Sequence, residues 1–136
     1  MIYMLDTNII SFLIKDRGGK LFEYFKKKYQ SEQILLSSIV YAELIYGIKK
    51  KGSKRLENKV LKFLELFEIV SFSKREAIIY ADIRNKLEIG GKVIRANDML
   101  IASHTLSLNA TLVTNNTKEF KRIEKLKLED WSLINI

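Results

Sequence analysis

The run Ile2-Tyr3-Met4-Leu5 ends on a carboxylate, Asp6, and Thr7-Asn8-Ile9-Ile10 then opens a helix. So short an unbroken apolar run reads as a strand covered on both faces, and such strands belong to parallel sheets flanked by helices. The pattern recurs along the chain. Ile34–Leu36 leads into a helix carrying Glu43, and a segment near Ile69–Phe72 leads into one opened by Ser73-Lys74-Arg75-Glu76, which has capping-box spacing. Thr111–Thr114 follows the helix that begins at Asp98. Strands alternating with helices imply right-handed parallel crossovers. The expected fold is α/β, a small, mainly parallel twisted sheet with helices on both faces. Within 136 residues there is no proline, Gly/Ser tract or repeat, so residues 1–136 are expected to form one domain.

Finer expectations follow from periodicity and breakers. Helices are predicted over Thr7–Lys15 and around Lys20–Tyr29, separated by the turn Arg17-Gly18-Gly19. Lys49-Lys50-Lys51-Gly52-Ser53-Lys54 reads as a solvated turn, after which Leu56, Val60, Phe63, Leu64 and Phe67 mark another helix. The helix opened by Ser73 is expected to stop at Gly90-Gly91. The segment Leu126–Ile134 has no pattern that assigns it. Most Tyr and Phe residues are expected in the core rather than stacked on bases. Ile9, Phe12, Leu13 and Phe25 are expected to leave an apolar groove open along the first two helices.

Composition removes several chemistries. Without cysteine there is no disulfide or thiolate nucleophile, and one histidine cannot complete a Cys/His zinc cluster. A net charge of +8 favours a polyanionic partner, but an A/T-rich coding sequence would produce the same excess of lysine, and both origins stay open. Apolar stretches are interrupted by Lys or Glu before they reach membrane-spanning length, and Asp6 arrives too early for a signal peptide. A cytoplasmic protein is expected.

Three acids stand where apolar structure should exclude them. Asp6 closes a buried strand. Glu43 has Ile39, Val40, Tyr46 and Gly47 as helical neighbours, with no local cation, and Asp98 lies in the first turn of an apolar helix. Carboxylates gathered in low dielectric repel, and a divalent cation resolves that conflict. With only hard oxygen donors on offer, Mg²⁺ or Mn²⁺ is the expected metal. Each acid also has a plainer reading. Asp6 and Asp98 can serve as helix caps, and an arginine elsewhere in the fold can pair Glu43. Capping and metal binding are compatible. His104, without a second histidine or cysteine, reads as structural or solvent-facing. Parallel sheets present ligands at the carboxyl ends of their strands, where Asp6 and Thr114-Asn115-Asn116 would both fall.

Five segments in order carry a family resemblance. They are Leu5-Asp6-Thr7-Asn8, Ala42-Glu43-Leu44-Ile45-Tyr46-Gly47, Asn97-Asp98-Met99-Leu100-Ile101-Ala102-Ser103-His104, Leu112-Val113-Thr114-Asn115-Asn116-Thr117-Lys118-Glu119-Phe120 and Leu128-Glu129-Asp130-Trp131. The series resembles the PIN-domain toxins called VapC and covers almost the whole chain. The resemblance implies a Mg²⁺-dependent endoribonuclease, with Mn²⁺ able to substitute. It implies the toxin half of a toxin–antitoxin pair, dimeric, held inactive by a VapB-like antitoxin whose other domain binds operator DNA. Asp6, Glu43 and Asp98 match the family's first three acids. The fourth position holds Asn116, an amide, and Glu119 is the nearby acid that could replace it; Thr114 would orient its neighbours. Metal-activated water would then leave a 5′-phosphate and a 3′-hydroxyl, with tRNA anticodon stem-loops the leading substrate class by resemblance. The antitoxin is expected to bring Arg or Lys toward Asp6 and Asp98. A haloacid-dehalogenase-type phosphotransferase would need Asp where Asn8 stands. The remaining alternative is a binding module that acts only within an antitoxin–DNA complex.

Overall fold

The computed structural model describes residues 1–133. Five strands, β1 (Ile2–Leu5), β2 (Gln33–Ser37), β3 (Glu68–Val70), β4 (Thr111–Val113) and β5 (Lys127–Glu129), form one sheet in the order β3-β2-β1-β4-β5. Every pairing is parallel, so the sheet is wholly rather than mainly parallel. β1 lies at the centre, and Tyr3, Met4 and Leu5 are all buried, as a strand covered on both faces requires.

The crossovers are helical: α1 (Thr7–Lys15), α2 (Lys20–Ser31), α3 (Ser38–Lys51), α4 (Lys54–Leu64), α5 (Lys74–Ile89), α6 (Ala96–Ser107) and the short α7 (Thr117–Phe120). α3 departs from the expected turn at Lys49. Its three lysines form the last helical turn, where cations meet the negative end of the helix dipole, and Gly52, at φ 68°, supplies the left-handed cap. α5 opens on the expected capping box, Ser73 with Glu76.

β3 is shorter than expected, because the Phe72 amide donates to Ser38 Oγ at 3.0 Å instead of extending the ladder. The unassigned segment Leu126–Ile134 contains β5 and a 3₁₀ turn, Trp131–Leu133, while Ile134 lies outside the described residues. Trp131 anchors this end by edge contacts to Tyr3 and Tyr24, at ring-centroid distances of 5.3 and 5.2 Å.

Most of the aromatic residues lie in or against the core, as expected, with Phe12, Tyr29 and Tyr46 exposed. Phe22 and Phe25 of α2 interlock with Phe63 of α4 and Phe67 beyond it, and all four are buried. The expected groove on α1 and α2 is therefore not there. Ile9, Leu13 and Phe25 are each at most 2% exposed, and only Phe12 faces solvent. An open apolar groove of about 410 Å³ instead runs between α1, α3 and α4, past Ile14, Leu44, Gly47, Ile48, Leu56 and Val60. Among the described residues no helix is long and apolar enough to cross a membrane.

Phe25 contacts Phe22, Tyr29, Phe63 and Phe67 at centroid distances of 5.6–5.8 Å. Phe25→Ala is expected to cost about 3–5 kcal/mol of unfolding free energy, read from urea denaturation. A loss below about 1 kcal/mol would show that this cluster is not the packed centre of the α2–α4 layer.

Candidate active site

The pairing of β1 with β4 sets Leu5 opposite Val113, and the Asp6 amide donates to the Val113 carbonyl at 2.9 Å. Asp6 and Thr114 therefore leave the sheet side by side. Thr114 Oγ1 donates to Asp6 Oδ2 at 2.8 Å and accepts the Asn116 amide at 3.0 Å. The Thr7 amide donates to Asp6 Oδ1 at 2.8 Å. Asp6 is thus the N-cap of α1 and a fixed carboxylate at the sheet's carboxyl edge at once.

Glu43 reaches the same place from α3. Its Oε1 accepts Thr7 Oγ1 at 2.6 Å, and its Oε2 accepts Asn97 Nδ2 at 3.1 Å and Arg95 Nη2 at 3.2 Å. The same guanidinium nitrogen stands 3.6 Å from Asp98 Oδ1. Asp98 does not cap α6: the N-cap is Arg95, and Asp98 lies inside the first turn, where the helix dipole favours negative charge. The three acids, Thr7, Arg95 and Asn116 line one open cavity of about 830 Å³.

Burial dominates the electrostatics. It raises the Asp6 carboxyl above the usual range, with Glu43 adding repulsion, against the hydrogen bonds from Thr114 and Thr7. It lifts Asp98 to about 6, opposed by Arg95 and reinforced by the charges of Asp6, Glu43 and Glu119. Glu119 is therefore close enough for Asp98 to feel. Its carboxylate pairs with Arg122 Nη1 at 3.5 Å, however, and it is Asn116 that lines the cavity.

The donor chemistry fits a hard divalent ion. Among the described residues no three acids close around one point as a cage. Ions of the magnesium type need only one or two carboxylates, the rest of the shell being water and substrate phosphate. Asp6 and Asp98 would hold such an ion, with Glu43 at its margin.

His104 is buried on α6, its Nδ1 2.7 Å from Ser37 Oγ and its ring edge-on to Phe72, away from the cavity. Burial lowers its pKa against the pull of Glu76, and its place in the core makes it a structural group. Sequence reading gave no role to Arg95, Asn97 or the Thr7 hydroxyl. Arg95 lies three residues before Asp98, a helical spacing that could have shown that pair; its bond to Glu43, across 52 positions, left no local mark.

Asp98→Asn should stabilise the metal-free protein. A folded pKa near 6 exceeds the unfolded value, so this carboxyl favours folding below about pH 4 and loses that contribution as pH rises through 6. In chelator, the variant's advantage should be absent at pH 4 and reach about 1 kcal/mol above pH 7, after allowance for screening. A variant less stable than the parent at pH 7.5 would contradict the assigned strain.

A PIN domain model matches residues 3–126. Ribonuclease VapC2 of Rickettsia felis is 46% identical over 132 residues, covering 96% of this chain and 98% of the relative. The tRNA(fMet)-specific endonuclease VapC of Shigella flexneri is 34% identical, covering 96% and 98%. The solved structure of VapBC2 from Rickettsia felis, bound to a DNA fragment from its promoter, superposes with a TM-score of 0.89 at 45% identity, covering 96% of this chain and 99% of that one. PIN-domain ribonucleases are divalent-metal enzymes, and acids gathered at the carboxyl edge of a parallel sheet suit that chemistry. The chain belongs to the PIN-domain family and, within it, to the VapC ribonucleases.

Proposed function

We propose that the chain is the toxin of a toxin–antitoxin pair, a Mg²⁺-dependent endoribonuclease that accepts Mn²⁺ and works as a single cytoplasmic domain over residues 1–136. Its metal-binding and catalytic residues are Asp6, Glu43 and Asp98, with Glu119 acting from the rim and Thr114 and Asn116 in support. One observation carries this reading: three buried or half-buried acids from separate elements converge on one cavity, around a single guanidinium.

A bound divalent ion supplies a Lewis acid that makes water nucleophilic and neutralises charge developing on the phosphate. The chain's residues set the geometry. Thr114 and the Thr7 amide hold both Asp6 oxygens, and Thr7 and Asn97 hold both Glu43 oxygens, so neither carboxylate has to reorganise when substrate arrives. Attack by the ribose 2′-hydroxyl would need an acid–base pair, and the only histidine is sequestered against Ser37. Water is then the nucleophile. The scissile P–O bond breaks to a 5′-phosphate and a 3′-hydroxyl.

The substrate class is RNA; the name of the Shigella flexneri relative, a tRNA(fMet)-specific endonuclease, favours tRNA, and the family resemblance favours its anticodon loop. An unpaired loop can lower its phosphate into a recessed site, and the net charge of +8 suits a polyanion. We place the antitoxin in the groove between α1, α3 and α4, because Thr7 and Glu43 line both that groove and the acidic cavity. A peptide lying there could carry a basic side chain onto the acids. The Rickettsia felis VapBC2 structure, bound to a DNA fragment from its promoter, supports a toxin–antitoxin hetero-oligomer on operator DNA; within it we propose a homodimer of this chain that meets DNA only through the antitoxin.

Asp6→Asn and Asp98→Asn should each abolish cleavage of a tRNA substrate while the fold persists, and Glu119→Gln should lower activity about 10–100-fold. Chelation should stop the parent enzyme and Mg²⁺ restore it, with 5′-phosphate ends throughout. Cyclic phosphate ends, or full activity in Asp6→Asn, would refute the mechanism. An inert but antitoxin-binding parent would favour the binding-module alternative.

The groove assignment has its own test. A Cβ added at Gly47 meets nothing within 4 Å, so Gly47→Trp should fill the groove without disturbing α3. Calorimetry should find antitoxin affinity reduced at least about tenfold, the scale of losing one buried apolar anchor. Unaltered affinity would move the antitoxin elsewhere.

A further inference from the structure

Arg95 is poorly placed for an ordinary arginine. It is the N-cap residue of α6, where the helix dipole repels a cation, and its side chain makes no capping bond. The side chain is 69% exposed and free in principle to turn into solvent. Yet Nη2 sits 3.2 Å from Glu43 Oε2 and 3.6 Å from Asp98 Oδ1, inside the cavity those acids line. The acids hold it there, not the helix.

We propose that Arg95 is an internal stand-in for the metal, neutralising Glu43 and Asp98 in the metal-free state and competing with the incoming divalent ion. The proposal rests on the metal site described under the proposed function. Without a cation, Asp6, Glu43 and Asp98 would face one another across one cavity, with Asp6 5% and Asp98 7% exposed, where unpaired charge is costly. A guanidinium relieves that repulsion partially. Its contact with Asp98 is long, and its exposed stem makes it an electrostatically weak partner.

A divalent ion offers the same carboxylates twice the charge at shorter range, and the ion and the guanidinium repel each other across the carboxylates they share, so each weakens the other's hold. Metal entry therefore favours a side chain that swings out, which its exposure permits. The metal concentration at which the enzyme switches on is then set by Arg95 as well as by the acids. Removing the guanidinium should tighten metal binding, the opposite of what loss of a supporting residue would do.

The test is Mn²⁺ binding to the purified chain, followed by the electron paramagnetic resonance signal of the free ion, with thermal melts in parallel. Arg95→Ala should bind Mn²⁺ roughly 5–20-fold tighter than the parent, while Arg95→Lys, which keeps the charge, should stay within about threefold. In chelator Arg95→Ala should melt below the parent, and saturating Mn²⁺ should erase the difference. Equal or weaker Mn²⁺ binding by folded Arg95→Ala would overturn the proposal and leave the metal site standing. A parent that binds no Mn²⁺ at millimolar concentration would overturn both.

Discussion

The hydrogen bond from Thr114 to Asp6 ties the chemistry to the fold. It exists because β1 and β4 pair in a register that sets Leu5 against Val113 and lets both strands end together. In a sheet with a side-chain period of two, a slip of one residue would turn Asp6 to the other face and bring Thr114 out of line. Register, central burial of β1 and orientation of the first acid are thus a single constraint. Glu43 and Asp98 are added to that point by α3 and α6, each within a turn or two of its helix start.

The same convergence makes the site a liability for folding. Burial raises both aspartates, and repulsion adds to it, from Glu43 at Asp6 and from Asp6, Glu43 and Glu119 at Asp98. Two local devices offset part of the cost: amide and hydroxyl donors from the ends of β1 and β4, and one guanidinium from the start of α6. The remainder is strain that a bound dication would release, which links metal affinity to stability in one set of residues. Such a site sacrifices stability to hold charge where substrate charge must be met.

Much of this was legible in the chain. Apolar runs ending in polar helix starts disclosed the parallel sheet, and the acids without local partners are the ones the fold brings to one cavity. What escaped was either too short or too distant. β5 has only three residues, with Lys127 and Glu129 around one apolar position, too little for a period to register. The lysines at 49–51 look like a solvated turn because their reason for being helical, the dipole at the end of α3, lies outside any propensity of lysine itself. The supposed groove on α1 and α2 failed because α4 covers Phe25 with Phe63, a packing partner about 38 positions away that periodicity within a helix cannot foresee. Glu43 was expected to need either a metal or a distant arginine; the fold supplies the arginine without excluding the metal.

The central claim is that a divalent ion sits between Asp6 and Asp98 at the carboxyl edge of the sheet. Its most direct test is site-resolved paramagnetic broadening of amide signals on substoichiometric addition of Mn²⁺ to the isotope-labelled protein. The account predicts that Asp6, Thr7, Asn97, Asp98 and Asn116 lose intensity first, with signals near Glu43 close behind and those of α2 and α4 unaffected. Broadening centred on another acid cluster, or spread evenly over the surface, would contradict it.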